Sequence, residues 1–171
     1  MLASQAATHP AGAVAQVVGE LARLTGARGL IAGEAADIAA EGEPPDEAVL
    51  TYIHEKKTAA LFEASARAGA ILASAPAEGL EAITDYAYSV GRVFQITDDI
   101  LDVVGDAAKM GKVPGGDARL GKATFPKLCG VEGSRALADE FAARARAAAD
   151  QLPARRDFWL GLVDFLLARE S

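Results

Sequence analysis

Three carboxylates crowd into five residues at Asp98, Asp99 and Asp102, inside a segment, YAYSVGRVFQITDDILDVVGD, that is otherwise largely apolar. At about 100° per residue on an ideal helix, Asp98, Asp99, Asp102 and Asp106 all fall within roughly 60° of Gln95, so they form one stripe. Val90, Val93, Phe94, Ile96, Ile100, Leu101, Val103 and Val104 fill most other directions, which places such a helix at the centre of a fold. No lysine or arginine stands three or four residues from Asp98, Asp99 or Asp102; the nearest on the helix, Arg92, lies well up it. Carboxylates this close repel one another and need a counter-charge from elsewhere. A divalent cation supplies one, and oxygen-only ligands suit Mg2+, which keeps several waters and is held by one or two carboxylates together with substrate phosphate. The competing reading of a DDxxD pattern is an acidic, solvated helix face, and the apolar flanks weigh against it.

The residues after Asp106, AAKMGKVPGGDARLGKATFPK, carry the opposite sign: Lys109, Lys112, Arg119, Lys122 and Lys127 against the acid Asp117. A diphosphate would complement both parts, its oxygens bridging metal on the aspartates and accepting hydrogen bonds from the lysines. Gly111, Gly115, Gly116 and Gly121 would let this loop fold over a ligand. Considered alone, a charged loop of this kind is simply solvated; its adjacency to the aspartates gives it interest. Upstream, IHEKKTAALF places Lys57 and Thr58 in mid-helix, where a lone lysine reads as a snorkelling surface residue. Neither His54 nor His9 has ligand-type spacing, and no nucleophilic triad is visible.

The elements that would hold these groups are all helical. Alanine dominates, apolar residues recur at three- and four-residue intervals, and strand-like alternation is nearly absent. Turn signals divide the chain into helices expected at about 11–25, 28–40, 46–74, 78–105, 133–151 and 155–169, packed as a single domain over residues 1–171. At 51% hydrophobic, the chain has the side chains for a sizeable core. A net charge of −7 argues against a nucleic-acid partner. One cysteine, Cys129, excludes an internal disulfide framework and fits a reducing compartment, with cytoplasm as the expectation. No stretch is apolar and long enough for a transmembrane segment, and the first residues lack signal-peptide character.

In order along the chain, GLIAGEAAD, IHEKKTAALF, GRVFQITDDILDVVGD and MGKVPGGDARLGKATFPKL resemble the trans-prenyl diphosphate synthases, the farnesyl and geranylgeranyl diphosphate synthase family. FQxxDDxLD followed by GKxxGxDxxxGKxTxP is the specific part of this likeness. The resemblance implies an all-α, isoprenoid-synthase-type helical bundle around a central cavity, and a head-to-tail condensation of an allylic prenyl diphosphate with isopentenyl diphosphate. Asp98, Asp99 and Asp102 match the family's second aspartate-rich motif, which binds Mg2+, and Asp117 matches the downstream aspartate of the metal shell. Lys57, Lys112 and Lys122 match lysines that grip the leaving diphosphate, Thr58 and Gln95 match polar groups near the cation, and Phe94 looks like a cavity wall.

The pattern also departs from the family. The first aspartate-rich motif and its following arginine pair are not found in these residues, so the likeness extends to the C-terminal portion of a synthase and omits the N-terminal helices. Glu34 stands where glutamine is common, and Ala59 follows Lys57-Thr58 where glycine is frequent. Three readings follow: part of an active prenyltransferase; a non-catalytic or complementing subunit that binds Mg-diphosphate or a partner synthase through one retained half-site; or a helical interaction protein with relic motifs. The intact charges argue against the last. Exposed apolar faces are expected, with a homo-oligomer or pairing with a chain carrying the first motif.

Overall fold

A computed structural model describes residues 8–104 and 121–169. The described residues form helices and turns, with no strand among them. Helix α1 spans Ala11–Thr25, α2 Leu30–Ala39 and α3 Glu47–Ile53. A π-helical turn, His54–Ala59, carries the chain from α3 into α4, Ala60–Leu72. Helices α5 (Ala77–Val104), α6 (Phe125–Ala149) and α7 (Arg156–Leu167) complete the bundle.

Helix α5 is central, as its composition requires. It packs along α6, against α4 and the π turn, and against α7. Val90, Val93, Ile96 and Ile100 of α5 join Leu50, Ile53, Phe141, Val163 and Leu166 in one core. The periodic apolar positions end at Leu101: Val103 and Val104 are exposed, although the sequence pattern assigns them to the apolar surface. Ile31, Ile38, Phe158 and Phe165 are also exposed, in line with the expected apolar faces.

Two expected boundaries differ. The continuous helix expected over residues 46–74 starts where predicted, with the Asp46 carboxylate accepting a hydrogen bond from Val49 N at 3.0 Å, but it is interrupted by the π turn. A π turn inserts one residue per turn and leaves the neighbouring apolar positions helical, so spacing does not reveal it. Ahead of the helix expected at 133 lies a short helical segment from Phe125, with Pro126 in its first turn; the two segments of α6 meet at Gly130, whose backbone is not helical (φ 74°, ψ 171°). The break that the glycines signal in the sequence is thus present at Gly130, a positive-φ position that glycine adopts without a steric penalty.

Arg67 on α4 holds α1 through Glu20, Nε to Oε2 at 2.6 Å, and donates from Nη1 to Thr84 on α5 at 2.7 Å. The hydrogen bond from Arg67 holds the Glu20 carboxyl below its ordinary value of 4.5. A depressed folded-state value stabilises the fold above 4.5, and that contribution is lost as pH falls through the depressed value. Denaturant titrations below pH 4.5 are therefore expected to show the wild-type chain losing stability more steeply than Glu20→Gln; equal slopes would contradict the tether.

Candidate diphosphate and metal site

Two glycines bring three elements into backbone contact. A Cβ on Gly33 of α2 would stand 2.2 Å from Lys57 N, and one on Gly91 of α5 would stand 2.7 Å from Ala59 Cα. Neither space admits a methyl group, so α2 and α5 both rest on the π turn. Ala59, the departure from a frequent glycine, is accommodated because Gly91 opposes it. One helical turn beyond each glycine lies a polar group that meets the same turn. Asp37, four residues after Gly33, accepts from Lys57 Nζ at 2.7 Å. Gln95, four residues after Gly91, accepts from the Thr58 hydroxyl at 2.6 Å through Oε1.

The chain of contacts continues down α5. Gln95 Nε2 donates to Asp99 Oδ1 at 3.0 Å, and Asp99 Oδ2 stands 3.3 Å from His54 Nε2. The same oxygen accepts from Phe125 N, the first amide of α6, at 3.4 Å. Asp99 is buried, yet both of its oxygens are met by protein donors, and a helix N-terminus favours the negative charge. Asp99, expected at the metal, also makes contact with His54, Gln95 and α6. His54 sits three residues before Lys57, on one face of the same segment, and its ring packs edge-on against Phe125 at 4.9 Å.

Lys57 lies between two carboxylates, Asp37 and Glu34 Oε2, the latter at 2.6 Å. Burial works against its charge, but the hydrogen bonds it donates to Asp37 and Glu34 outweigh burial and hold the ammonium above its ordinary value. Glu34 thus adds a partner to Lys57, making the trio net negative. Asp98 points the other way from Asp99: its side chain is 34% exposed, with Arg169 Nη2 3.9 Å from Oδ1. That counter-charge comes from the far end of the chain, where helix-local spacing gives no sign of it. Asp102 is buried one turn below Asp98. Lys122 stands two residues before the Thr124 cap of α6. Lys112 and Asp117, with Lys109, Arg119 and Asp106, lie outside the described residues.

An apolar cleft adjoins this polar column. The Phe94 and Phe62 rings are 5.4 Å apart, and Phe62 lies one turn beyond Thr58. From Phe62 the cleft runs between α4, α5 and α7, lined by Leu61, Ala66, Val90, Trp159 and Leu162, with a volume of about 360 Å³. Behind the column, buried Arg92 stacks over Phe141 at 4.4 Å and meets the Tyr88 hydroxyl at 3.2 Å, while Tyr88 donates to Glu55 at 2.6 Å. Among the described residues no three His, Cys, Asp or Glu side chains converge into a metal cage. A half-buried Asp98 carboxylate suits Mg2+ nonetheless, because that ion takes one or two protein carboxylates and completes its shell with water and phosphate oxygens.

A family model described as polyprenyl synthetase matches residues 3–154. The chain belongs to the polyprenyl synthetase family. It is similar to the chloroplastic geranylfarnesyl diphosphate synthase of Leucosceptrum canum, 42% identical over 168 residues that cover 94% of this chain and 45% of that protein. The farnesyl diphosphate synthase of Escherichia coli is 42% identical over 137 residues, covering 80% of this chain and 46% of that enzyme. The chain spans about half the length of these relatives. Its bundle also matches the crystal structure of a polyprenyl synthase from Caulobacter crescentus, complexed with calcium and isoprenyl diphosphate. That match has a TM-score of 0.84 and 27% identity, and covers 91% of this chain and 60% of the other. The polyprenyl synthetase fold is thus the setting of the cleft and the polar column.

The glycine contacts make a prediction of opposite signs. Gly33→Ala and Gly91→Ala are each expected to cost about 1–3 kcal/mol in denaturant unfolding, because a methyl group must displace backbone. Gly69→Ala on α4, where nothing lies within 4 Å, is expected to gain about 0.5–1 kcal/mol from helix preference. A shared sign would contradict the close approach.

Proposed function

We propose that the chain serves prenyl diphosphate synthesis: head-to-tail condensation of an allylic prenyl diphosphate with isopentenyl diphosphate, dependent on Mg2+. The observation that supports this reading is the Thr58–Gln95 hydrogen bond, which ties the Lys57-Thr58 turn to the helix that carries Asp98, next to an apolar cleft bordered by Phe62. Such a cleft takes a hydrocarbon tail, and the polar column beside it takes the charged head. Family membership and relatives named as diphosphate synthases support the same reaction.

In this reading Mg2+ supplies charge stabilisation to the departing diphosphate. Asp98 would hold it, with Asp102 and Asp117 as further carboxylates, and Asp99 fixes the helix face that presents them. Lys57 donates to a diphosphate oxygen, shared with or released from Glu34 and Asp37, and Lys112 and Lys122 add positive charge from the loop. Negative charge builds on the leaving group as its carbon–oxygen bond breaks, and groups already oriented there stabilise it most. The Thr58–Gln95 pair turns its oxygens toward the allylic cation, and Phe94 with Phe62 forms the wall that excludes water. Loss of a proton from the adduct then completes the condensation. A reducing, cytoplasmic setting belongs to the proposal and rests on the single cysteine, Cys129, which is free and exposed.

Completion of the site by a chain carrying the first aspartate-rich motif is part of this reading. A relative from Arabidopsis thaliana, 42% identical over 142 residues, is named as the large subunit of a heterodimeric geranylgeranyl pyrophosphate synthase. Calorimetry with inorganic diphosphate is expected to show Mg2+-dependent binding to the 171-residue chain. Asp98→Asn is expected to weaken that binding by about tenfold or more, the loss of one charged contact. Incorporation of labelled isopentenyl diphosphate should be slight for this chain alone and rise on mixing with a chain that carries the first motif. Binding indifferent to Mg2+ and to Asp98→Asn would overturn the reading.

A further inference from the structure

The ammonium that the proposed chemistry assigns to diphosphate already has two partners, both on α2. Nζ of Lys57 stands 2.6 Å from Glu34 Oε2 and 2.7 Å from Asp37 Oδ2, and the two acids, three residues apart, share a helix face. An ammonium has three donors, so these contacts engage two of them. The acids differ in surroundings. The Asp37 side chain is 9% exposed, and the close approach of Gly33, one turn earlier, holds this stretch of α2 on the π turn. Withdrawing Lys57 would leave that carboxylate buried without its ion-pair partner, which is strongly unfavourable. Glu34 is 47% exposed. Water can solvate its carboxylate as soon as it lets go, and pairs of this kind are weak.

Asp37 therefore holds Lys57 in place, while Glu34 occupies it reversibly. A diphosphate oxygen that accepts from Nζ at the Glu34 position must displace that carboxylate, and the carboxylate can return when the oxygen departs. We infer that Glu34 competes with diphosphate for Lys57, loosening the grip on the ligand and hastening its release. The inference rests on the proposed diphosphate reading of this site and adds to it a residue that governs release. Glutamine in the same place would keep the shape and lose the charge, which makes it a weak competitor. An exposed ion pair is worth up to about fivefold in affinity. Differences of this kind within one site appear mostly in the rate of dissociation.

The test uses the 171-residue chain with Mg2+ and inorganic diphosphate, titrated by calorimetry and followed in stopped flow. Glu34→Gln is expected to bind about fivefold more tightly than wild type and to release diphosphate more slowly by a similar factor. High salt should shrink the gain, because the competitor is an exposed charge. In a Lys57→Gln background, which keeps an amide donor for buried Asp37, the gain from Glu34→Gln should be lost. A gain of equal size in that background, or tighter binding with an unchanged release rate, would overturn the competition. Glu34→Gln binding no more tightly than wild type, while wild type binds and Asp98→Asn does not, would also overturn it and leave the site reading intact. Absence of Mg2+-dependent binding in wild type and Glu34→Gln alike would overturn the site reading, and the competition with it.

Discussion

Backbone contact at Gly33 and Gly91 is the constraint on which the site depends. Helix–helix spacing is ordinarily set by side chains at 8–10 Å between axes. Here two helices lie directly on the π turn because glycine leaves nothing in between. Each close approach places the residue one turn further along, Asp37 or Gln95, within direct hydrogen-bond reach of Lys57 or Thr58. At a usual interhelical distance those short polar groups would need bridging waters. The π turn contributes by bringing Lys57 and Thr58, adjacent in sequence, to meet α2 and α5 respectively.

The second requirement is electrical. A row of aspartates within a core helix is tolerable only if each carboxylate has its own compensation, and α5 divides the task. Asp99 faces inward and is met by His54, Gln95 and the first amide of α6. Asp98 is half-buried on another side of the helix, with the Arg169 guanidinium 3.9 Å from its carboxylate. One acid anchors the helix face and its neighbour presents charge outward; the rotation of about 100° between adjacent residues makes that division possible.

Much of this was legible in the residues, and what was missed has common causes. Helix α5 was readable as central because its apolar positions surround a polar stripe, and turn signals placed the start of α3. The π turn escaped notice because one extra residue leaves the apolar spacing on both sides intact, and the helical segment from Phe125 to the Gly130 break is too short for apolar periodicity to show. His54 looked inert because its partner, Asp99, lies on another helix, and Arg169 gave no signal because only the packing of α7 brings it to Asp98. The Lys57, Gln95 and aspartate assignments came from motif spacing and resemblance. The contacts that orient them, Glu34 and Asp37 on Lys57 and His54 on Asp99, are tertiary and have no local pattern.

The central claim is that this column of side chains presents Asp98 and Lys57 together to a metal-bound diphosphate. Anomalous diffraction from crystals grown with Mn2+ and inorganic diphosphate tests it most directly, since the metal can be located independently of any assumption about the protein. The account predicts a manganese peak within coordination distance of an Asp98 oxygen, with a diphosphate oxygen bridging it toward Lys57 Nζ. Manganese bound elsewhere, or a diphosphate that leaves Lys57 untouched between Glu34 and Asp37, would contradict it.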